Sequence, residues 1–200
     1  MKLRRFFLPA ALLGGLVILG AAFLGLAHRD TPRGAAGTML ASAIGGPFHL
    51  VDQEGKTVTD ADLRGKWSLV YFGYTHCPDA CPTALNDISI ALDELGPKRA
   101  AVRPVFITVD PERDTSEVLK SYVTSFDAPI LALTGTPEEI AQAAKGYRVY
   151  YAKHPEVGGD YSMDHSSVIY VMDPQGRFTA SFTQENSPEE IAERLKKLLA

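Results

Sequence analysis

The sequence has only two cysteines in 200 residues and no excess of basic residues, with 20 Lys and Arg against 24 Asp and Glu. Two cysteines cannot build a disulfide-stapled scaffold, so a folded domain here must rely on its hydrophobic core. A formal net charge of −4 excludes the basic footprint of a nucleic-acid-binding protein. With 13 Pro and 17 Gly, the composition also argues against collagen-like and wholly disordered chains.

Acidic residues are missing from residues 1–27, which contain an uncharged apolar run of 22 residues from Phe6 to Ala27. About 20 apolar residues suffice for a helix to cross a bilayer. Lys2, Arg4 and Arg5 precede the run and would stay in the cytoplasm by the positive-inside bias. We therefore predict an N-terminal transmembrane helix at residues 1–27, with the rest of the chain outside the cytoplasm. A signal peptide cleaved after Ala27 is the alternative.

The remainder divides into a short linker and one domain. Residues 28–46 are rich in Gly and Ala and have no helix or strand periodicity, which predicts a flexible tether. Residues 47–200 are long enough for one domain with a real core. Without residues 1–27, which carry three of the basic residues and no acidic one, the formal net charge falls from −4 to −7.

Apolar patterns in residues 47–200 alternate between strand and helix. A hairpin is predicted at residues 47–59, and buried strands are predicted at 67–74, 103–109 and 130–133. A second hairpin follows at residues 167–182, and a last helix begins at Ser187. This order predicts an α/β, thioredoxin-like fold: a central mixed sheet flanked by helices, with an extra N-terminal hairpin. Three predicted helices each have apolar residues that we expect to face inward. In chain order these are Leu85, Ile88, Leu92 and Leu95 in the first, Val118, Leu119, Tyr122 and Phe126 in the second, and Ile191, Leu195 and Leu198 in the last.

Helix starts and one long loop can also be placed. Asp114–Glu117 and Thr136–Glu139 are predicted capping boxes, each opening a helix. Residues 147–164 form a connection that is long for such a domain and rich in aromatic residues, so we expect an ordered, functional loop there.

Both cysteines lie in one motif, Cys77-Pro78-Asp79-Ala80-Cys81, where a buried strand meets a helix. Residues four apart on a first helical turn share a face, and the helix N-terminus favours thiolate over thiol. A structural disulfide closing so short a loop would restrain the unfolded chain little. Two functional interpretations of the cysteine pair remain. One is a dithiol oxidoreductase, although such enzymes of this fold use Cys-x-x-Cys. The other is a soft metal site for Cu(I), with Zn as the competitor.

A metal held by two thiolates needs a further ligand, and histidine is the obvious candidate. Four of the five histidines are poorly placed: His28 lies in the tether, His49 on a surface strand, His76 points away from the sulfur and His154 is in the long loop. His165 stands just before the strand that begins the second hairpin. In a thioredoxin-like fold that segment faces the active-site cysteines, so His165 can reach a metal bound there.

Three motifs carry a family resemblance. The sequence YFGYTHCPDACPT, then FITVDPERDT, then DHSSVIYVMDPQGRF resembles the SCO/SenC family of copper chaperones for cytochrome c oxidase assembly, over about residues 44–199. The motifs in this order are far more specific than Cys-x-x-x-Cys alone. The resemblance implies a thioredoxin-like fold, an N-terminal membrane anchor and a copper site of two cysteines and one histidine. Motif matching places these ligands at Cys77, Cys81 and His165.

The resemblance also implies a function. We expect a copper metallochaperone, not an enzyme, that binds one Cu(I) or Cu(II) per monomer and delivers it to the binuclear copper centre of cytochrome c oxidase subunit II. Its location would be the bacterial inner membrane, single-pass, with the C-terminal domain in the periplasm. A copper-donor chaperone and a thiol reductant are further expected partners, because a redox disulfide between Cys77 and Cys81 would switch copper binding off. No nucleic acid is expected.

Alternatives and supporting residues complete the prediction. A thiol-disulfide oxidoreductase that reduces the cysteines of the acceptor would use Cys77 and Cys81 without needing His165. A copper or redox sensor is a third interpretation.

Asp79, between the cysteines, is expected either to tune the thiolates or to be an ordinary carboxylate at a helix N-terminus. Asp110, at the same sheet edge as the cysteines, is either a supporting residue of the site or a turn aspartate before Pro111.

Overall fold

The computed structural model describes residues 44–156 and 158–200. The predicted anchor at 1–27 and most of the predicted tether at 28–46 lie outside the described residues. Within the described ranges, no helix is long and apolar enough to cross a membrane. The last tether residues, Ile44–Gly46, already belong to the domain, because the Gly45 N–H donates to the Gly146 carbonyl oxygen at 3.0 Å and Ile44 packs against the core.

The domain alternates strands and helices as the sequence predicts. Its nine strands in the described part are β1 (His49–Asp52), β2 (Thr57–Thr59), β3 (Trp67–Gly73), β4 (Val102–Thr108), β5 (Leu131–Thr134), β6 (Tyr151–Pro155), β7 (Tyr161–His165), β8 (Ile169–Met172) and β9 (Phe178–Phe182). Its four α-helices there are α1 (Ala80–Glu94), α2 (Ser116–Val123), α3 (Pro137–Tyr147) and α4 (Pro188–Leu198), with 3₁₀ turns at Asp60–Leu63 and Gly96–Ala101.

Seven strands form one mixed sheet in the order β2-β1-β5-β4-β3-β8-β9. β3, β4 and β5 are parallel, as their helical crossovers require, and the β8–β9 hairpin continues the sheet antiparallel from β3. The N-terminal hairpin adds β1 antiparallel to β5. This confirms the predicted central mixed sheet flanked by helices and extended by an N-terminal hairpin.

The central strands are buried because both faces of the sheet are covered. Six of the seven residues of β3 are buried, from Ser68 to Gly73, as expected for a strand between two helical layers. Four side chains dominate this core by size and are almost wholly inaccessible to water: Tyr71, Phe48, Phe72 and Phe106.

Three local predictions are wrong. The segment 147–164 is not a loop: it ends α3 and then forms the β6–β7 hairpin, a separate two-stranded sheet. Asp114 does not cap α2, because the Thr115 hydroxyl accepts the Val118 N–H instead while Asp114 is fully buried. Val118, expected to face inward, is exposed. The other capping prediction is confirmed, since Thr136 caps α3 with Glu139 as its reciprocal partner.

Candidate metal centre

Cys77 and Cys81 lie where β3 passes into α1. Cys77 precedes the helix and is partly exposed, whereas Cys81 stands on the first helical turn and is fully buried. The Cys81 N–H points at the Cys77 sulfur at 3.4 Å. Gly73, the last residue of β3, makes room for the second sulfur, because a Cβ at this position would lie only 2.6 Å from Cys81 Sγ. The junction of β3 and α1 therefore brings the two sulfurs close together.

His165 completes the group from a distant part of the chain. It ends β7, and its Nε2 lies 3.3 Å from Cys81 Sγ, 84 residues away in sequence. The ligand atoms of Cys77, Cys81 and His165 all lie within 4.8 Å of one another. The imidazole packs edge-on against Tyr71 and Tyr74, with ring centroids 6.0 and 5.8 Å away. The structure thus brings together the three predicted ligands.

The two thiols differ electrostatically. The pKa of Cys77 is lowered to about 3, chiefly by the hydrogen bond that the Cys81 side chain donates, with His165 and the backbone N–H groups of Cys81 and Asp79 adding to it. The pKa of Cys81 is raised, because its hydrogen bond to the Cys77 thiolate and its burial both favour the neutral thiol. These opposite pKa shifts place the negative charge of the pair on Cys77, the partly exposed cysteine.

The donor set fits a soft metal ion. Two sulfurs and one imidazole nitrogen favour Cu(I), and Zn is the competitor. Ligand atoms within 4.8 Å of one another can all reach one ion. The other ring nitrogen, His165 Nδ1, is buried with no hydrogen-bond partner among the described residues. The Nε2 atom, which faces the sulfurs, is therefore the ring nitrogen placed to share a metal ion with Cys77 and Cys81.

The remaining predicted candidates lie elsewhere. His49 and His154 are exposed, and His154 pairs with Asp164 at 2.8 Å. His76 is also exposed, and its Nδ1 lies 3.2 Å from the Thr75 hydroxyl. Asp79 is exposed at the N-cap position of α1, where its carboxylate accepts the Thr83 hydroxyl at 3.3 Å. None of them belongs to the group of ligand atoms around the cysteines.

Asp110 is more than a turn residue. It is 3% exposed, pairs with Arg113 and accepts the Tyr161 hydroxyl at 2.8 Å. Sequence reasoning missed Arg113, Tyr161 and the role of Asp114, although Arg113 and Asp114 lie in the motif FITVDPERDT that it had marked. It also missed Gly73. One sequence signal could have found Arg113 and Asp114: four of the five residues in DPERD are charged, directly after a buried strand.

Comparison with known proteins identifies the family. The family model described as SCO1/SenC matches residues 36–200. The chain belongs to the SCO1/SenC family. The Arabidopsis thaliana protein SCO1 homolog 1, mitochondrial, is 44% identical over 157 residues, which are 78% of this chain and 47% of the relative. The chain therefore spans about half the length of that relative.

Two solved structures of Sco proteins share the fold. Bradyrhizobium japonicum ScoI with copper bound is 52% identical, with a TM-score of 0.73 over 78% of this chain and 99% of that one. BsSco is a member of the Sco family of cytochrome c oxidase assembly proteins in which a disulfide switch was identified. It is 25% identical, with a TM-score of 0.63 over 80% of this chain and 95% of that one.

Proposed function

We propose that this protein is a copper metallochaperone that binds one copper ion through Cys77, Cys81 and His165. The observation that carries the proposal is the convergence of these three ligand atoms within 4.8 Å from two distant chain segments. The copper bound in Bradyrhizobium japonicum ScoI, which is 52% identical, supports the choice of metal. The protein acts as a carrier of its cargo and not as an enzyme.

The acceptor is subunit II of cytochrome c oxidase, whose binuclear copper centre would receive the ion. The description of BsSco within a family of oxidase assembly proteins supports this destination. The apolar run Phe6–Ala27 anchors the protein in the bacterial inner membrane with its C-terminal domain in the periplasm. Anchoring donor and acceptor in one membrane raises their effective concentration.

The geometry suggests how the ion leaves. Cys77 is the ligand that an incoming thiolate can reach, since it is partly exposed while Cys81 is fully buried. Copper moves by ligand exchange, in which one thiolate of the acceptor replaces Cys77 before the remaining ligands are replaced. Loading needs both cysteines reduced, so a copper donor and a thiol reductant belong to the same process.

Copper stoichiometry tests the site. The reduced full-length protein should bind one Cu(I) per chain, and Cys77→Ser, Cys81→Ser and His165→Ala should each bind it at least tenfold more weakly, because loss of one of three ligands cannot be replaced locally. His154→Ala is the matched control, since it removes an exposed imidazole outside the site. Equal copper affinity in all variants would reject the three-ligand site.

A second candidate is a thiol-disulfide oxidoreductase that reduces the cysteines of the acceptor. The lowered pKa of Cys77 favours it, because the thiolate is the attacking species. The disulfide switch identified in BsSco supports it as well. His165→Ala separates the two functions: a chaperone loses copper retention and keeps disulfide exchange. A His165→Ala variant that no longer binds copper but still supports full cytochrome c oxidase activity would favour the oxidoreductase.

A further inference from the structure

The candidate site is assembled from two pieces that no β-ladder joins. Cys77 and Cys81 belong to the junction of β3 and α1, within the main domain. His165 ends the β6–β7 hairpin, which forms a sheet of its own in the described part of the chain. An isolated two-stranded hairpin is marginally stable in water. Other contacts must therefore hold the imidazole beside the sulfurs.

The hairpin is held by side chains from the segment that follows β4. The Arg113 guanidinium carbon lies 3.6 Å from the centroid of the Tyr161 ring, and Arg113 donates to the Tyr161 carbonyl oxygen at 3.0 Å and to Asp160 at 3.2 Å. The Tyr161 hydroxyl donates to the buried Asp110, which also pairs with Arg113. Lys153 of β6 adds a second cation 3.8 Å from the Tyr161 ring. Tyr161 of the hairpin is thus held through contacts to its ring, its hydroxyl and its backbone carbonyl.

The same segment reaches the cysteine side of the site through Asp114. This carboxylate is fully buried and accepts the Thr75 N–H at 3.0 Å and the Thr75 hydroxyl at 2.5 Å. It also accepts the Thr108 hydroxyl at 2.6 Å, which ties it to the end of β4. Thr75 lies two residues before Cys77. The loop that presents the first sulfur is therefore fixed by a buried charge-assisted hydrogen-bond group.

We propose that residues 110–114 form a positioning element that holds both halves of the metal site at once. Arg113 and Asp110 position His165 through Tyr161, and Asp114 positions Cys77 through Thr75. The proposal rests on the proposed copper site, and it assigns these residues no contact with the metal. Its physical advantage is preorganisation: the three ligands are held together before the ion arrives, so binding does not have to order the hairpin.

Amide hydrogen exchange of the copper-free, reduced full-length protein tests the hairpin half without copper. Arg113→Gln should raise exchange in β6 and β7 by about tenfold or more while β3 and β4 keep their protection, because Arg113 donates hydrogen bonds to the hairpin and to neither of those strands. Arg64→Gln is the matched control, since Arg64 makes an exposed ion pair with Asp60. Unchanged protection of β6 and β7 in Arg113→Gln would overturn the proposal even if copper binding is confirmed.

Copper affinity then tests whether Arg113 acts through His165. Arg113→Gln should weaken Cu(I) binding by about 10- to 100-fold, the range typical of residues that orient ligands. In the His165→Ala background the same substitution should have almost no further effect, because the two residues act as one unit. An equal loss in both backgrounds would show that Arg113 does not work through the histidine. Absence of Cu(I) binding by the unaltered protein would reject the proposed function and leave the exchange result standing.

Substitution of Thr75 tests how Cys77 is positioned without removing the buried Asp114 carboxylate. Thr75→Val removes the hydroxyl donor to Asp114, whereas Thr75→Ser keeps it. Thr75→Val should weaken Cu(I) binding about tenfold, also in the His165→Ala background, and Thr75→Ser should restore it. Equal affinity in Thr75→Val and the unaltered protein would overturn this half of the proposal.

Discussion

Gly73 shows how one residue without a side chain shapes the metal centre. A Cβ there would lie 2.6 Å from Cys81 Sγ and 3.0 Å from the Phe106 ring. We predict that Gly73→Ala displaces the Cys81 sulfur and weakens Cu(I) binding at least tenfold, with a loss of about 1–3 kcal/mol in the free energy of unfolding from overpacking. Copper titration and denaturant unfolding measure the two effects.

Gly135 supplies the matched control for that prediction. A Cβ at Gly135 would lie 3.0 Å from Leu50 and 2.9 Å from the Glu139 carboxylate, so Gly135→Ala crowds the core without touching a ligand. We expect it to lower stability and to leave copper affinity unchanged. Similar copper affinities in both glycine variants would contradict the role assigned to Gly73.

The two thiols should react differently. With its pKa lowered to about 3, Cys77 is a thiolate throughout pH 5–8, so its alkylation rate should stay almost constant over that range. An ordinary cysteine, with a pKa of about 8.5, loses about tenfold in rate for each pH unit below that value. Cys81 is buried and its raised pKa keeps it a neutral thiol, so it should react far more slowly.

Mass spectrometry after timed treatment of the reduced protein with iodoacetamide gives both rates. Cys81→Ala should raise the pKa of Cys77, because the hydrogen bond that contributes most to lowering it is lost. His165→Ala should raise it less. A tenfold fall in Cys77 alkylation for each pH unit in the unaltered protein would contradict a pre-formed thiolate.

At the scale of elements, the N-terminus of α1 affects Cys77 through its backbone N–H groups. The N–H groups of Asp79 and Cys81 help to lower the pKa of Cys77, whereas the exposed Asp79 carboxylate is engaged with Thr83. We therefore predict that Asp79→Asn changes neither Cys77 alkylation nor Cu(I) affinity by more than about threefold, since exposed charges interact weakly across water. Asp110→Asn, which changes the buried carboxylate that pairs with Arg113, should by contrast weaken Cu(I) binding. A large effect of Asp79→Asn would show that its carboxylate tunes the thiolates.

The elements that the sequence predicts well are those with strong local signals. β3 and β4 are mostly apolar runs, and α3 begins at a reciprocal capping box that needs only four residues. The β6–β7 hairpin has a much weaker signal: β6 has no alternation of apolar and polar residues, and in β7 the alternation covers only Tyr161 to Asp164. Met163 is the only buried residue of these two strands. Asp114 resembles a helix cap in sequence, and only the fold shows Thr75, 39 residues away, beside it.

The three candidate ligands could be chosen from the sequence, whereas the contacts that hold them close together could not. Cys77 and Cys81 share a helical turn, and a thioredoxin-like fold brings the segment before β8 towards them. The contact of Arg113 with Tyr161 joins residues 48 positions apart. No local pattern distinguishes that arginine from any other charged residue in a turn.

At the scale of the whole molecule, the chain enters the domain at the end of the sheet remote from the metal centre. Gly45 lies against Met172, which pairs with Ser68 at the start of β3, whereas Cys81 contacts Gly73 at its end. Five strand residues at about 3.3 Å each separate these ends by about 17 Å.

If residues 6–27 anchor the protein in the membrane of its acceptor, as proposed, the tether must be long enough for the candidate metal centre to reach that acceptor. Sixteen residues, from 28 to 43, reach about 55 Å when fully extended, whereas four reach about 14 Å. We predict that deleting residues 30–41 leaves Cu(I) affinity unchanged and lowers cytochrome c oxidase activity in membranes by at least tenfold, because the metal centre can no longer reach the acceptor. Replacing the same residues by a Gly/Ser segment of equal length should restore activity, since length and not sequence is required. Full oxidase activity with the shortened tether would mean that the acceptor approaches from the far side of the domain, and failure of the Gly/Ser segment would mean that the tether residues themselves bind a partner.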